Sequence, residues 1–355
     1  MTPAFSRRKR LIFALAAMLL TFSVCFIALL AADIYLHHRL QNSAGVNVWG
    51  YRGPVVKRKQ PGELRIVYLG GSTAFGYGVS WDQAIPKQLE NRLNARLPAR
   101  ASRVSVVNLA YNNEGAFSFT FTLDDYKYLD YDIVCLYEGY NDMPKDPLRP
   151  NTAVFRHDSP VFKLTGYLPI FPLAFREKAG ALRYGGDVTA FYRKLRGEPE
   201  TTVFRPGLAN RAAAGVLEAT AAIGDSLNRQ LARATPEPPR AVVGGDSSGC
   251  KYPWGNYCRS MFTAVDHALA MGKRVLVISQ PYVSDGHRDQ QQTMAAALAL
   301  RSQGNPRVRY ANVGTVVDTK DPLLAYDHMH LTAPGNAAIA DALVEPVLAL
   351  AQVTP

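Results

Sequence analysis

Hydrophobic positions along this chain follow three rhythms, and each predicts a different kind of element. From Leu11 to Ala32 about 22 residues pass without a charge, which at about 1.5 Å per residue is enough to cross a hydrocarbon core of about 30 Å. Later come five short β-branched runs that read as buried strands: ELRIVYLGG (63–71), RVSVVNLA (103–110), YDIVCLYEG (131–139), KRVLVISQPY (273–282) and RVRYANV (307–313). Between them apolar residues recur at helical spacing. Ile85, Leu89, Leu93 and Leu97 follow one another with Pro86 near the start. Met261, Val265 and Leu269 are stopped by Gly272, QQTMAAALALRSQ (291–303) is a third helix, and Ile339, Leu343 and Val347 share a face behind Pro334. Alternating strands and helices predict an α/β fold: a doubly wound, three-layer α/β/α domain on a five-stranded parallel sheet of flavodoxin-like type.

The same pattern divides the chain. A tail (1–10) precedes a transmembrane anchor (11–32), a polar connector (33–62) with the basic run Lys57, Arg58 and Lys59, and a main domain (63–350) interrupted at about 143–260. The interruption holds SPVFKLTGYLPIFPLAF (159–175), rich in aromatics and prolines, and GLANRAAAGVLEATAAIGDSLNRQLARA (207–234), a helix with Val216, Ile223, Leu227 and Leu231 on one face. So long a segment without strands is expected to be a mainly helical cap or insertion at the carboxyl edge of the sheet, where open α/β folds bind ligands. Contact of its apolar part with a membrane is the other reading.

Charge gives the anchor a direction. Arg7, Arg8, Lys9 and Arg10 precede the apolar run, so the N-terminus is expected in the cytoplasm, with one crossing and the rest of the chain outside: a single-pass protein of the bacterial inner membrane with a periplasmic domain. A cleaved signal peptide is the alternative. The run exceeds the usual apolar region of about 7–15 residues, and its exit ALLAADIY offers no clear A-x-A site. Of the formal charge of +11, residues 1–40 carry +4, and the remainder shows no basic stripe interleaved with aromatics, so no nucleic-acid partner is expected. Hydrophobic residues make up 48% of the chain, enough for a large core and against overall disorder. Of the four cysteines, Cys25 lies in the anchor and Cys135 in a strand, while Cys250 and Cys258 bracket KYPWGNY and are expected to form a local disulfide in an oxidising compartment.

Candidate chemistry sits in three short strings. GGSTAFGYG (70–78) puts Ser72 at the end of the first strand, opening a helix. YEGYND (137–142) puts the amide of Asn141 directly after the third strand, with Glu138 and Asp142 as supports for the loop. DHMHLTAPGN (327–336) puts Asp327 three residues before His330, just ahead of the last helix. That spacing lets Asp327 hold the Nδ1 proton of His330 while Nε2 faces Ser72, which fixes tautomer and ring orientation. Gly115, in NLAYNNEGAFSF (108–119), can present an unobstructed backbone N–H beside Asn141. Nucleotide binding fails on spacing, since neither Gly-Lys-Ser/Thr nor G-x-G-x-x-G occurs in the first turn. His328 with His330, like the cysteine pair, lacks the further ligands of a metal site, so neither metal nor cofactor is expected.

In this order and on these elements, GGST, the loop glycine, GYND and DHMH resemble blocks I, II, III and V of the GDSL/SGNH hydrolase family, over about 65–145 and 270–350. The resemblance implies Ser72 as nucleophile and oxyanion donor, Gly115 and Asn141 as further oxyanion donors, and Asp327 with His330 as the base. The chain departs from the namesake motif in having Gly71 where the family has Asp. A serine esterase acting on an acyl or O-acetyl ester of an envelope glycan or lipid is the implied activity. An O-acyltransferase supplied by a membrane acyl-transfer partner and a binding protein with a relic site are the alternatives.

Overall fold

The structure, a computed structural model, describes residues 7–41, 45–96, 103–143, 150–195, 204–234, 249–250 and 252–353. The first six residues of the tail and part of the connector at 42–44 lie outside the described residues. The chain forms two compact units. One combines 1–39 with 169–234, and the other combines 40–168 with 235–355.

The larger unit is built on five parallel strands: β1 Leu64–Gly70, β2 Val104–Asn108, β3 Ile133–Tyr137, β4 Arg274–Ile278 and β5 Val308–Ala311. Their order is β2-β1-β3-β4-β5. β3 is buried at every position, as expected of a strand covered on both faces. Register aligns the carboxyl ends: Gly70 lies beside Tyr137, and Tyr137 beside Ile278. The chain leaves β1 toward β2 but leaves β3 toward β4, so the winding reverses between β1 and β3, and that boundary is where a doubly wound fold opens a crevice.

Helices cover both faces. The short α2 (Ser72–Phe75) follows β1, and α3 (Ile85–Arg96) packs on β2 and on α11 (Ala333–Ala351) through Ile85, Leu89 and Leu93. α4 (Phe119–Asp125) packs with α9 (Gly255–Ala270), while α10 (Asp285–Arg301) ties to α9 where Gln291 Nε2 donates to Tyr257 Oη at 3.2 Å. α5 (Pro160–Thr165) also belongs to this unit.

The connector differs from a polar linker. Residues 33–40 continue α1 (Arg7–Leu40), and Val46, Asn47, Tyr51 and Arg52 are buried, with Arg52 bridged to Asn108 at the end of β2. Arg52 stacks its guanidinium 4.4 Å from the Phe75 ring and donates to the Val79 carbonyl at 2.6 Å, bracing the turn that carries Ser72.

The smaller unit holds α1, α6 (Phe171–Arg183), α7 (Val188–Leu195) and α8 (Leu208–Ala234). Among the described residues, α1 is the one helix long and apolar enough to cross a membrane, with a mean hydropathy of 2.6 and its apolar window wholly exposed. The interruption at 143–260 is therefore divided: 150–168 and 249–260 pack in the larger unit, and 169–234 in the smaller. Its described residues contain no strand.

The face of α8 singled out by apolar spacing is the exposed one. α8 packs on α6 through Ala214, Ala221 and Gly224, whereas Val216, Ile223, Leu227 and Leu231 point outward. Small residues allow close helix approach, so contact here is made by the side chains that a search for large apolar residues passes over.

Candidate active site

β1 delivers Ser72. Leaving the strand at Gly70, the chain turns at Gly71 into α2, whose carboxyl end closes at Gly76 with φ +81°, the left-handed conformation glycine tolerates best. Gly71 is required for a different reason. A Cβ there would overlap Asn141 Nδ2 and come within 2.7 Å of Glu138 Oε2 and 3.1 Å of the Glu114 carbonyl. The space an aspartate at 71 would need is thus filled by a carboxylate and an amide from the loop after β3, and Glu138 accepts the N–H of Gly71.

The loop before α11 delivers the imidazole. His330 Nε2 lies 2.8 Å from Ser72 Oγ, and His330 Nδ1 lies 2.6 Å from Asp327 Oδ2. Asp327 Oδ1 also accepts the N–H of His330 at 2.7 Å and of Met329 at 3.1 Å. Partial burial pushes the Asp327 carboxyl up, but the hydrogen bonds from the His330 side chain and backbone and from Met329 outweigh it and hold the group below its ordinary value. An ionised Asp327 keeps the proton on Nδ1, leaving Nε2 to accept from the Ser72 hydroxyl. Thr332 caps α11 by accepting from Gly335 N–H at 3.3 Å, with Pro334 in the first turn.

Two tyrosines grip the His330 ring. Tyr326 stacks on it with centroids 5.8 Å apart and planes at 16°, and Tyr77 lies tilted at 4.9 Å. Tyr326 Oη donates to the Tyr77 carbonyl at 2.7 Å, joining the loop before α11 to the turn after β1. Ser72 and His330 stay partly accessible, so a substrate can reach them.

Behind Ser72, the loop after β3 is organised by Glu138. Its Oε1 accepts the N–H of Gly139 at 2.8 Å and of Asn141 at 3.0 Å. Asn141 Nδ2 donates to the Glu114 carbonyl at 3.0 Å and has Glu138 Oε2 at 3.4 Å. Asp142 accepts the N–H of Ala116 at 2.8 Å. Burial pushes both Glu138 and Asp142 up, and Asp142 raises Glu138 further. Gly115 is placed beside Asp142 and Asn151, so it is the carbonyl of Glu114, one residue earlier, that meets Asn141. Glu114 is paired with Arg156 at 3.5 Å, and Arg156 Nη2 donates to the Leu109 carbonyl at 2.7 Å.

The sequence reading missed several of these partners. Gln280, directly after β4, donates from Nε2 to Thr73 Oγ1 at 3.0 Å and accepts the N–H of Tyr140 at 2.8 Å, tying the Ser72 helix to the Asn141 loop. Its position after a strand end was the available signal. Tyr77 and Tyr326 had none, because ring packing depends on two loops meeting in space. Cys250 and Cys258 are bonded, with Cα atoms 6.2 Å apart. Cys258 lies in α9, where Tyr257 Oη donates to the Glu138 carbonyl at 2.9 Å, so the disulfide restrains the helix behind the site. His328 stands apart from Ser72, with Nδ1 3.3 Å from the Thr319 carbonyl.

No family model and no curated protein matches this chain. Among solved structures it is similar to a member of the lipolytic protein G-D-S-L family from Veillonella parvula, at 11% identity and a TM-score of 0.39, covering 79% of this chain and 97% of that one. It is also similar to a psychrotrophic esterase from Pseudoalteromonas, at 11% identity and a TM-score of 0.40 over 80% of this chain and 96% of that one. A third is a family 3 carbohydrate esterase from Clostridium thermocellum, at 12% identity and a TM-score of 0.39 over 81% of this chain and 99% of that one. Likenesses this distant do not say what this chain acts on; chemistry resides in the residues of the cleft.

Proposed function

We propose that this chain is a serine esterase that hydrolyses acyl esters outside the cytoplasm. The observation that carries this reading is the relay Ser72 Oγ···Nε2 His330 Nδ1···Oδ2 Asp327, at 2.8 Å and 2.6 Å, joining the end of β1 to the loop before α11. Ser72 Oγ attacks the ester carbonyl carbon as His330 Nε2 takes its proton, and Asp327 stabilises the imidazolium. The oxyanion meets the backbone N–H groups of Ser72 and Gly115 and the side-chain amide of Asn141. Collapse breaks the carbon–oxygen bond, and His330 returns the proton to the departing alcohol. Water then attacks the acyl-enzyme, giving its proton to His330, and the acid leaves as Ser72 regains its hydrogen.

An N-terminal apolar helix behind four basic residues supports anchoring with the catalytic unit outside the cytoplasm, and the Cys250–Cys258 bond suits that compartment. Envelope glycan or lipid esters are the substrate pool such a location offers. The test is a series of nitrophenyl esters of increasing acyl length beside acetylated glycans, with and without an alcohol acceptor, for wild type and Ser72→Ala. Hydrolysis lost with Ser72 is expected. Acyl groups delivered to the alcohol with little free acid would make the enzyme a transferase, and activity retained by folded Ser72→Ala would remove the reading. Alkaline phosphatase fused after Pro355 is expected to be active, and fluorescence from a cytoplasm-only reporter there would overturn the location.

A further inference from the structure

α8 has two unlike faces. Along one, Ala214, Ala221 and Gly224 are buried, and Gly224 lies so close to α6 that a Cβ on it would sit 2.8 Å from the Phe171 ring. Both acidic residues of α8 turn to the same side: Glu218 is gripped by Arg183 at 2.6 Å through two hydrogen bonds, and Asp225 pairs with Arg176. On the opposite side Val216 is 66% exposed, Ile223 56% and Leu227 46%. At about 100° per residue, Val216, Ile223 and Leu227 fall within an arc of about 40°. On the same count Arg233 lies about 80° from Ile223, whereas Arg211 and Arg229 lie about 140° from Val216, beside Glu218 and Asp225. The outward arc is therefore aliphatic and free of carboxylates, an arrangement suited to contact with acyl chains.

A second observation fixes where this face begins. Asp33, the first residue beyond the apolar run of α1, is buried, and its Oδ1 accepts the N–H of Ile170 at 2.9 Å and of Phe171 at 2.5 Å. The start of α6 is thus tied to the end of the apolar segment, and α8 packs on α6. We infer that the stripe Val216, Ile223 and Leu227 lies in the surface of a lipid bilayer, in the leaflet from which α1 emerges. This rests on the reading of α1 as a membrane anchor.

The test uses the full chain in phosphatidylcholine–phosphatidylglycerol vesicles, with a nitrobenzoxadiazole label placed either on native Cys25 or on Ile223→Cys in a Cys25→Ser background. Cys135 is buried and Cys250 and Cys258 are bonded, so neither strand nor loop takes the label. The label at 223 is expected to be quenched by lipids carrying a nitroxide near the headgroup and shielded several-fold from aqueous iodide. Free access of iodide to 223 with Cys25 still lipid-shielded overturns the inference and leaves the anchor standing. Shielding of 223 from both quenchers means that protein covers the stripe and also overturns it. Iodide reaching both labels removes the anchor and this inference together.

Discussion

The two units of this chain hide and show opposite things. In the sheet unit the largest side chains go inward: Tyr68, Tyr126, Tyr131 and Tyr137 are almost fully buried, and the polar groups beside Ser72 are engaged with one another. In the helical unit α6 and α8 meet over alanine and glycine, and the long aliphatic side chains of α8 are turned out. Burial of apolar area contributes about 25 cal/mol per Å². A helix that leaves five large aliphatics exposed forgoes that contribution unless its surroundings supply an apolar phase. The sheet unit is organised to hold a few atoms in place, and the helical unit to present a surface.

The sharpest way to separate the units is to disable one chemically. Ser72→Ala is expected to lower ester hydrolysis by on the order of 10⁶ with an unchanged melting temperature, since in the proposed reaction the removed hydroxyl carries the acyl group. Next comes Asn141→Ala, for which a loss of roughly 10²–10³ in kcat with little change in KM is expected, because its amide acts on charge that develops during reaction. A change confined to KM would make Asn141 a binding residue.

A third prediction concerns stability of the sheet unit. His287 is fully buried against Tyr140, and burial pushes its imidazole down to about 4. The unfolded chain takes up that proton below about pH 6.5 while the folded one does not until about pH 4, so its contribution is intact above 6.5 and is lost as pH falls across that window, by up to roughly 3 kcal/mol. Glu138 and Asp142, raised by burial, slope the other way and cost stability as pH rises. The measurement is therefore the difference between wild-type and His287→Phe denaturation curves from pH 7 to 4. A flat difference would show that His287 takes up its proton as readily in the fold as in the unfolded chain.

The smallest effect belongs to the helical unit. Gly224→Val should strain the contact with Phe171 and Pro172 and cost about 1–3 kcal/mol, lowering the protease resistance of 169–234 while leaving kcat on a soluble ester within about twofold. A large fall in kcat would mean that this unit completes the cleft, and the contrast between the two would collapse.

Legibility in the sequence followed the physics of the sheet. Strands buried on both faces read as continuous β-branched runs, and residues immediately after such strands have little freedom, which is why Ser72 and Asn141 stood out. The pair Asp327 and His330 was legible from its spacing. What three-dimensional meeting decides was not: the grip of Tyr77 and Tyr326 on His330, the reach of Gln280 to Thr73, and the packing of the connector through Arg52. Periodicity placed Val216, Ile223 and Leu227 on one face of α8 but carries no information on what that face meets, and the true packing face was written in alanine and glycine.

The crowding at Gly71 has a consequence for how substitutions around Ser72 combine. Aspartate at 71 and the present positions of the Glu138 carboxylate and the Asn141 amide compete for the same space beside Ser72. A side chain at 71 is accommodated only if the Glu138 carboxylate or the Asn141 amide swings aside, which disturbs the hydrogen bonds that hold the loop after β3. The effect of a change at 71 therefore depends on which residues stand at 138 and 141.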